Sequence, residues 1–209
     1  NTARNLLHAT HIISPNEHTS HVLLERNDID GLYQGQLAQT GCPRNDLVLN
    51  ATTEQKNRFR QQLGLPATDK PLVLYAPTWR GIFGHPEINA ERLITDLQFL
   101  QQKNCQIVFR GHYFLEQALA NAGLKNICIA PQTIDTSELL AVTDVLITDY
   151  SSSFFDYLPK GRPILFYTYD LEQYSQERGL YFDMEEMPGP NCFTVQQLSE
   201  ELTSTLEQI

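Results

Sequence analysis

The sequence predicts an α/β fold in which a Rossmann-like parallel sheet carries helices on both faces. From about residue 70 onward, short apolar, β-branched runs alternate with amphipathic stretches of ten or more residues, the pattern of repeated β-α-β units. The apolar runs lack polar alternation, as expected for strands that are covered on both sides. The 209-residue chain is 41% apolar and 10% aromatic, so it can bury a substantial core.

The individual elements follow from these runs. Strands are predicted at 72–75, 106–109, 127–129, 145–148 and 164–167. Helices are predicted at about 89–103, 113–122, 136–142, 151–158, 170–177 and 195–208. A further helix from Thr53 to Leu63, closed by Gly64, opens the main domain, which we place at residues 51–209.

Residues 1–50 have a different organisation. The run Ile12-Ile13 predicts one strand. Residues 17–26 predict a helix that is capped by Asn16 or Ser14. Because one strand and one helix do not make a domain, we expect this segment to be the tail of a missing N-terminal domain or a linker.

Composition excludes several classes of function. Fifteen Lys and Arg against twenty-five Asp and Glu give a net charge of −10, which argues against a sequence-independent grip on nucleic acid. No run approaches the roughly 20 apolar residues of a membrane span, and the first residues lack an initiator Met and a signal-peptide core. We therefore expect a soluble, cytoplasmic segment that was excised from something longer.

The cysteines indicate reduced thiols of a cytosolic protein. They are far apart and form no C-x-x-C pair, so neither a disulfide framework nor a zinc site is expected. The four are Cys42, Cys105, Cys128 and Cys192. The sequence also has no P-loop, no G-x-G-x-x-G motif and no Asp-rich cluster, so we predict no metal and no cofactor.

A serine-rich turn is the strongest local signal for a site. A predicted strand ends at Asp149, and Ser151, Ser152 and Ser153 then fall on the opening turn of the next helix. Free backbone N–H groups and the positive end of the helix dipole favour a phosphate there. The alternative is that Ser153 and Asp156 form a capping box and the other serines are solvated.

Three more loops follow strands and carry cations. Arg110, Gly111 and His112 offer a guanidinium fork, a close backbone approach and an imidazole. Trp79 and Arg80 follow the first strand of the main domain, and could instead serve packing and a surface ion pair. Arg178 follows the last strand, where an ordinary helix end is the alternative.

These loops share one edge of the predicted sheet. Carboxyl ends of parallel strands meet at one edge, where ligands of open α/β sheets bind. Arg80, Arg110, His112 and Arg178 would then surround the serine-rich turn. The sequence therefore predicts a pocket for a diphosphate in an otherwise acidic protein.

Five motifs occur in order along the chain. They are Gly41-Cys42-Pro43-Arg44-Asn45-Asp46, Tyr75-Ala76-Pro77-Thr78-Trp79-Arg80, Arg110-Gly111-His112-Tyr113, Thr148-Asp149-Tyr150-Ser151-Ser152 with Phe155-Asp156, and Arg178-Gly179-Leu180-Tyr181. In this order they resemble the CDP-glycerol glycerophosphotransferase family, whose members polymerise the poly(glycerol phosphate) of teichoic acids and related bacterial capsules. The resemblance covers roughly residues 11–185.

The resemblance implies a GT-B architecture of two Rossmann-like domains, of which this chain holds the C-terminal, nucleotide-binding one. It implies a CDP-glycerol or related CDP-alditol donor and a polyol-phosphate acceptor, whose terminal hydroxyl attacks the β-phosphate and releases CMP. His112 matches the functional histidine of an R-x-H motif. The substrate-binding residues implied with it are Arg80, Arg110, Ser137, Glu138, Asp149, Ser151, Ser152, Asp156 and Arg178.

One departure from the family limits the expected activity. A second histidine of the family, in a W-H-G-like motif of the N-terminal domain, has no counterpart here. The isolated chain is therefore expected to bind the donor but to turn it over poorly. Homo-oligomers are allowed. The full-length protein is expected at the inner face of the cell membrane. The alternatives are a GT-B nucleotide-sugar glycosyltransferase or epimerase, a CDP-ribitol ribitolphosphotransferase, and a non-catalytic nucleotide-binding module.

Overall fold

The computed structural model describes residues 2–82, 85–87, 89–124, 126–180 and 182–209. In chain order its elements are α1 (Thr2–His8), β1 (His11–Ser14), α2 (Glu17–Glu25), β2 (Gln36–Gln39), α3 (Asn45–Asn50), α4 (Thr53–Gln62), β3 (Leu72–Tyr75), β4 (Arg80–Ile82), β5 (His85–Glu87), α5 (Ala90–Leu100), β6 (Gln106–Phe109), α6 (Tyr113–Ala122), β7 (Ile127–Ile129), α7 (Thr136–Val142), β8 (Val145–Thr148), α8 (Ser153–Tyr157), β9 (Ile164–Tyr167), α9 (Leu171–Arg178), β10 (Asn191–Cys192) and α10 (Val195–Leu206).

Within the described residues, six parallel strands form the main sheet in the order β10-β9-β8-β3-β6-β7. The chain starts this sheet at its centre with β3, moves outward through β6 and β7, and then returns to place β8 on the other side of β3. This is the strand order of a doubly wound Rossmann sheet, with its switch point between β3 and β8. The predicted fold class is confirmed.

The core lies on both faces of this sheet because successive side chains of a strand point to opposite sides. On β3, Leu74 faces the layer of α3, α4, α7 and α8, whereas Val73 faces the opposite layer, which includes α5 and α10. Phe59 of α4 and Leu97 of α5 are among the fully buried residues of the two layers. Strands covered on both sides account for the uninterrupted apolar runs of the sequence.

All five strands predicted for the main domain have the predicted bounds, and so do α6 and α7. The helix predicted at 151–158 is shorter, because α8 begins at Ser153 and passes into a 3₁₀ turn that ends at Gly161 with φ +64°. Gly161 adopts this left-handed conformation without the steric cost that a β-carbon carries. At α2, the cap is Asn16, whose side-chain oxygen accepts a hydrogen bond from the Thr19 amide.

The N-terminal segment contains more than the single strand that the sequence predicts. β1 pairs in parallel with β2, and α2 connects them, so the segment holds a β-α-β unit. The helix α3, also absent from the prediction, packs against α7 and α8 and buries Val48 in the core of the main sheet. By packing, α3 thus belongs with the main sheet, and the domain boundary at residue 50 stays a prediction.

Candidate functional site

The loops that carry the predicted site residues leave neighbouring strands at the carboxyl edge of the main sheet. β8, β3, β6 and β7 are adjacent and parallel, and neighbouring strands lie about 4.8 Å apart. The segment after β3 is therefore flanked by the serine-rich turn after β8 and by the His112 loop after β6. The segment after β3 and the serine-rich turn after β8 border the switch point, where doubly wound sheets bind their ligands.

Asp149 lies at the base of the switch point and is only 2% exposed. Its carboxylate accepts hydrogen bonds from the amide and hydroxyl of Thr78, at 2.7–3.0 Å, and from the Tyr150 amide at 2.6 Å. Nη1 of Arg80 donates a further bond at 2.8 Å. Burial raises the pKa of Asp149, and the charge of Arg80 and the bonds from Thr78 oppose that shift.

Arg80 is enclosed between two carboxylates. Its Nη1 bonds Asp149 and the Thr78 carbonyl, and its Nε and Nη2 bond the two oxygens of Asp170. Burial by itself lowers the pKa of Arg80, but the hydrogen bond to Asp170 and both negative charges outweigh burial and raise the pKa. Of the five N–H donors of a guanidinium, four are engaged by the protein.

Trp79 brings two of the predicted site residues together. The His112 ring lies 6.3 Å from the Trp79 ring, measured between centroids, and the guanidinium carbon of Arg178 lies 4.2 Å from the Trp79 ring centre. His112 is the N-cap residue of α6, and its side chain makes no capping hydrogen bond. An imidazole from the loop after β6 and a guanidinium from the end of α9 thus flank one indole.

The serine-rich turn does not form the capping box that was the alternative prediction. The N-cap of α8 is Ser152, which makes no side-chain capping bond. Ser151 instead accepts a bond from the Ser153 amide, and the two hydroxyls lie 2.9 Å apart. Three hydroxyls therefore stand at the carboxyl end of β8, next to the segment that carries Trp79.

Arg110 is turned toward the loop after β7. Its Nη2 donates to the carbonyl oxygens of Pro131 and Ile134, at 2.8 and 3.0 Å. Its buried Nε lies 3.9 Å from Glu116 and has no hydrogen-bond partner in the described part of the chain. Burial lowers the pKa of Arg110, opposed by the charge of Glu116. In this arrangement Arg110 fastens two edge loops to each other.

Ser137 and Glu138 lie at the start of α7, also at this edge. The Asp135 side chain accepts a bond from the Ser137 amide, and Glu138 Oε2 accepts one from the Asp135 amide at 2.9 Å. Together these bonds form a capping box, so one carboxylate oxygen of Glu138 serves the helix. Both residues are partly exposed.

Asp156 is paired within the protein. Its Oδ1 lies 2.8 Å from Nε of Arg44, a residue of the Gly41–Asp46 motif. The Asp156 side chain is 16% exposed, whereas that of Arg44 is 63% exposed. The pair ties the segment that precedes α3 to α8.

A partly open cavity of about 100 Å³ lies beside the switch point, between the segment after β3, α5 and α9. Its walls include Arg80, Arg92, Tyr169, Tyr174 and Arg178. Arg80 and Arg178 belong to the predicted site, whereas His112 and the serines do not line the cavity, so the cavity overlaps the predicted site only in part.

Sequence reasoning missed the partners that fix the site. Asp170 follows β9 as Asp149 follows β8, so the rule that identified Asp149 would also have found Asp170. Thr78 lies within a motif that the sequence analysis identified, but its position does not reveal its bonds to Asp149. Glu116 lies inside α6 and carries no comparable signal. Across the described ranges there is no grouping of three His, Cys, Asp or Glu side chains placed to hold a metal ion. No helix in the part that the structure describes has the length and apolarity needed to cross a bilayer.

The fold is similar to solved structures of a wall teichoic acid polymerase. The wall teichoic acid polymerase TagF superposes with a TM-score of 0.81 at 32% identity, covering 100% of this chain and 52% of that one. A TagF structure with a histidine-to-asparagine variant and CDPG gives a TM-score of 0.77 at 32% identity, covering 100% and 51%. The GT-B fold class that the motifs implied is confirmed by this agreement.

The sequence comparison agrees with it. A teichoic acid poly(glycerol phosphate) polymerase of Staphylococcus epidermidis is 35% identical over 201 residues, which are 92% of this chain and 27% of that protein. The chain thus spans between about a quarter and half of the length of the relatives described here. The profile of the CDP-glycerol:poly(glycerophosphate) glycerophosphotransferases matches residues 1–208. The chain therefore belongs to the CDP-glycerol:poly(glycerophosphate) glycerophosphotransferase family.

Proposed function

We propose that this chain supplies the donor-binding domain of an enzyme that transfers glycerol phosphate from CDP-glycerol to the end of a poly(glycerol phosphate) chain. Family membership over residues 1–208 supports the reaction class. The observation that carries the assignment to this domain is the pairing of His112 with Trp79 beside the switch point, where doubly wound sheets bind nucleotides.

The donor diphosphate fits between the serine-rich turn and the His112 loop. The Ser152 hydroxyl can donate to the diphosphate, and so can the Ser151 hydroxyl when Ser153 is the donor of the bond between them. The His112 imidazole and the Arg178 guanidinium supply further donors. Charge-assisted hydrogen bonds from cationic side chains suit phosphate oxygens. They provide local attraction in a protein whose net charge of −10 would otherwise repel the donor.

In the transfer step, the bond that forms at the β-phosphorus is matched by one that breaks. The terminal hydroxyl oxygen of the acceptor forms a bond to the β-phosphorus, and the bond from that phosphorus to the bridging oxygen breaks. The bridging oxygen leaves on CMP with the electron pair, and a hydrogen bond from His112 stabilises the charge that develops there. The hydroxyl proton passes to a base that we assign to an N-terminal domain of the same GT-B fold.

The partners follow from this division of labour. We propose a polyol-phosphate acceptor and an N-terminal GT-B domain that completes the cleft, with the full-length protein at the cytoplasmic face of the cell membrane. Homo-oligomers are compatible with this arrangement. Nucleic acid is not a proposed partner, because the chain is acidic.

Ligand-dependent thermal stabilisation tests the proposal. A ligand at 100 times its Kd stabilises by about 2.7 kcal/mol, which for a chain of this size raises Tm by roughly 5–10 °C. We expect this shift with CDP-glycerol, a smaller one with CMP, and none with UDP-N-acetylglucosamine at equal concentration.

The same measurement separates the alternatives. A larger shift with CDP-ribitol would assign the ribitol donor, and stabilisation by the UDP-sugar alone would favour a glycosyltransferase or epimerase. Stabilisation by CDP-glycerol without turnover, even with an N-terminal half supplied, would indicate a binding module. His112→Gln is the matched variant: we expect it to weaken CDP-glycerol binding about tenfold while leaving the unliganded Tm unchanged.

A further inference from the structure

Trp79 is held in place from both of its chain neighbours. Thr78 bonds Asp149 through its amide and its hydroxyl, and Arg80 bonds the same carboxylate through Nη1. Nη1 of Arg80 also returns to the Thr78 carbonyl at 2.6 Å, which closes a loop of bonds around Trp79. A segment fixed on each side in this way leaves its central side chain few orientations.

The other end of Arg80 is anchored equally well. Asp170 takes two of its N–H groups, and the guanidinium carbon lies 5.1 Å from the Tyr150 ring centre and 5.3 Å from that of Tyr174. Tyr150 donates to Asp170 at 3.0 Å. With four of five donors engaged, Arg80 retains little capacity to bind a phosphate.

The same cluster fixes the end of α9. Tyr174 stacks on Tyr150 with ring centroids 3.8 Å apart, and Arg178 lies one helical turn beyond Tyr174. The Arg178 guanidinium then reaches the Trp79 ring at 4.2 Å. Three chain segments, which follow β3, β8 and β9, therefore meet at Arg80.

We propose that Arg80 and Asp149 are positioning residues that do not contact the donor, and that they hold Trp79 so that its ring places His112 and Arg178 at the switch point. The motifs implied donor contacts for both residues, so this inference assigns them a different role in the same site. Its consequence for donor binding rests on the proposed function, whereas the placement of Trp79 does not.

The sole tryptophan of the chain makes the placement measurable. Removing Arg80 alone would leave the buried Asp149 charge unpaired and could unfold the protein. The test variant is therefore Arg80→Gln with Asp149→Asn, which removes the Arg80 charge together with that of the buried Asp149 and leaves Asp170, a partly exposed carboxylate, bonded to the Tyr150 hydroxyl. Arg162→Gln, at an exposed position outside this cluster, is the matched control.

The first measurement is acrylamide quenching of Trp79 fluorescence without ligand, in folded proteins checked by circular dichroism. We expect the quenching constant of the double variant to rise toward that of the protein unfolded in guanidinium, and that of Arg162→Gln to equal wild type. A folded double variant whose Trp79 is shielded as in wild type would overturn the proposal.

The second measurement is the Kd for CDP-glycerol by calorimetry. We expect the double variant to bind about tenfold or more weakly, because displaced donor groups lose their alignment, with Arg162→Gln unchanged. An unchanged Kd together with increased quenching would overturn the claim that Trp79 positions the binding groups. If wild type itself binds no CDP-glycerol, the proposed function fails, and the quenching measurement still decides the placement of Trp79.

Discussion

Arg44 and Asp156 form an ion pair, Nε to Oδ1 at 2.8 Å, that joins two distant parts of the sequence. The hydrogen bond to Asp156, reinforced by its negative charge, raises the pKa of Arg44. Asp156 belongs to α8, which begins at the serine-rich turn, so the pair connects the helix that follows the turn to the segment that precedes α3. The ion pair thus links two of the motifs that carry the family resemblance, the one that contains Arg44 and the one that contains Asp156.

Breaking this pair should have a small effect on stability. Because the Arg44 side chain is 63% exposed and solvent screens its charge, we expect Arg44→Met and Asp156→Asn each to lower the free energy of unfolding by about 0.5–1 kcal/mol. Urea unfolding of both single variants and the double variant measures the coupling. Losses that simply add in the double variant would contradict a direct interaction between the two residues.

Lys160 caps the C-terminus of α7 from the 3₁₀ turn after α8. Its ammonium donates to the carbonyl oxygens of Leu140, Ala141 and Thr143 at 2.5–2.9 Å. These three bonds satisfy carbonyl oxygens that the end of a helix leaves without backbone partners, and we expect Lys160→Met to lower the free energy of unfolding by about 1–2 kcal/mol at pH 7. Guanidinium unfolding measures this, with the exposed Lys70→Met as control.

The pH dependence of that difference has a defined sign. Burial lowers the pKa of Lys160 to about 8, below the roughly 10.4 of an unfolded lysine. Between these values the unfolded chain binds more protons than the folded one, so the contribution of Lys160 to stability rises with pH. We expect the gap between wild type and Lys160→Met to widen from pH 8 to pH 10. A gap that narrows over this range would contradict the lowered pKa.

Five of the six strands of the main sheet could be predicted from sequence because burial on both faces leaves a continuous apolar signal. The sixth, β10, was missed because it is only two residues long, Asn191–Cys192. β2 could not, because its Leu37 and Ala38 are flanked by two glutamines and the strand is only partly buried. A parallel partner for β1 becomes visible only when α2 returns the chain beside it. Short, half-exposed strands carry too few apolar positions to stand out from loops.

At the site, sequence order places residues at one edge of the sheet but does not choose their partners. Arg80 and Arg110 were predicted to bind the donor from their loops, and the family resemblance implied the same role for Asp156. Each of these side chains contacts protein groups here. A long side chain can reach several acceptors within a few ångströms, and packing decides among them. For Arg110 and Asp156, a contact with the donor stays a prediction.

The buried thiols should be poor nucleophiles at neutral pH. All four cysteines are free, and burial raises the pKa of Cys105 and that of Cys192 to about 11. At pH 8 only about 0.1% of such a thiol is ionised, and the thiolate is the reactive species.

Iodoacetamide labelling read by peptide mass spectrometry checks this prediction. We expect Cys105 in the folded protein to react roughly 100-fold more slowly at pH 8 than an ordinary thiol. Its rate should rise about tenfold for each pH unit below pH 11. Labelling in guanidinium, where burial is lost, is the control. A folded-state rate equal to the unfolded one would exclude the raised pKa.

Glu138 offers a position where helix capping and donor binding can be separated. Its Oε2 accepts from the Asp135 amide, and this bond occupies one of two carboxylate oxygens. In Glu138→Gln the single amide oxygen can keep the cap, but the amide NH₂ cannot accept from a ligand hydroxyl as a carboxylate oxygen does. We therefore expect Glu138→Gln to retain wild-type stability and to weaken CDP-glycerol binding roughly three- to tenfold.

Glu138→Ala should lose the same affinity and also about 0.5–1 kcal/mol of stability, because the capping box is broken. Calorimetry and urea unfolding of the two variants measure both effects. Unchanged affinity in a fully stable Glu138→Gln would assign Glu138 to the helix alone.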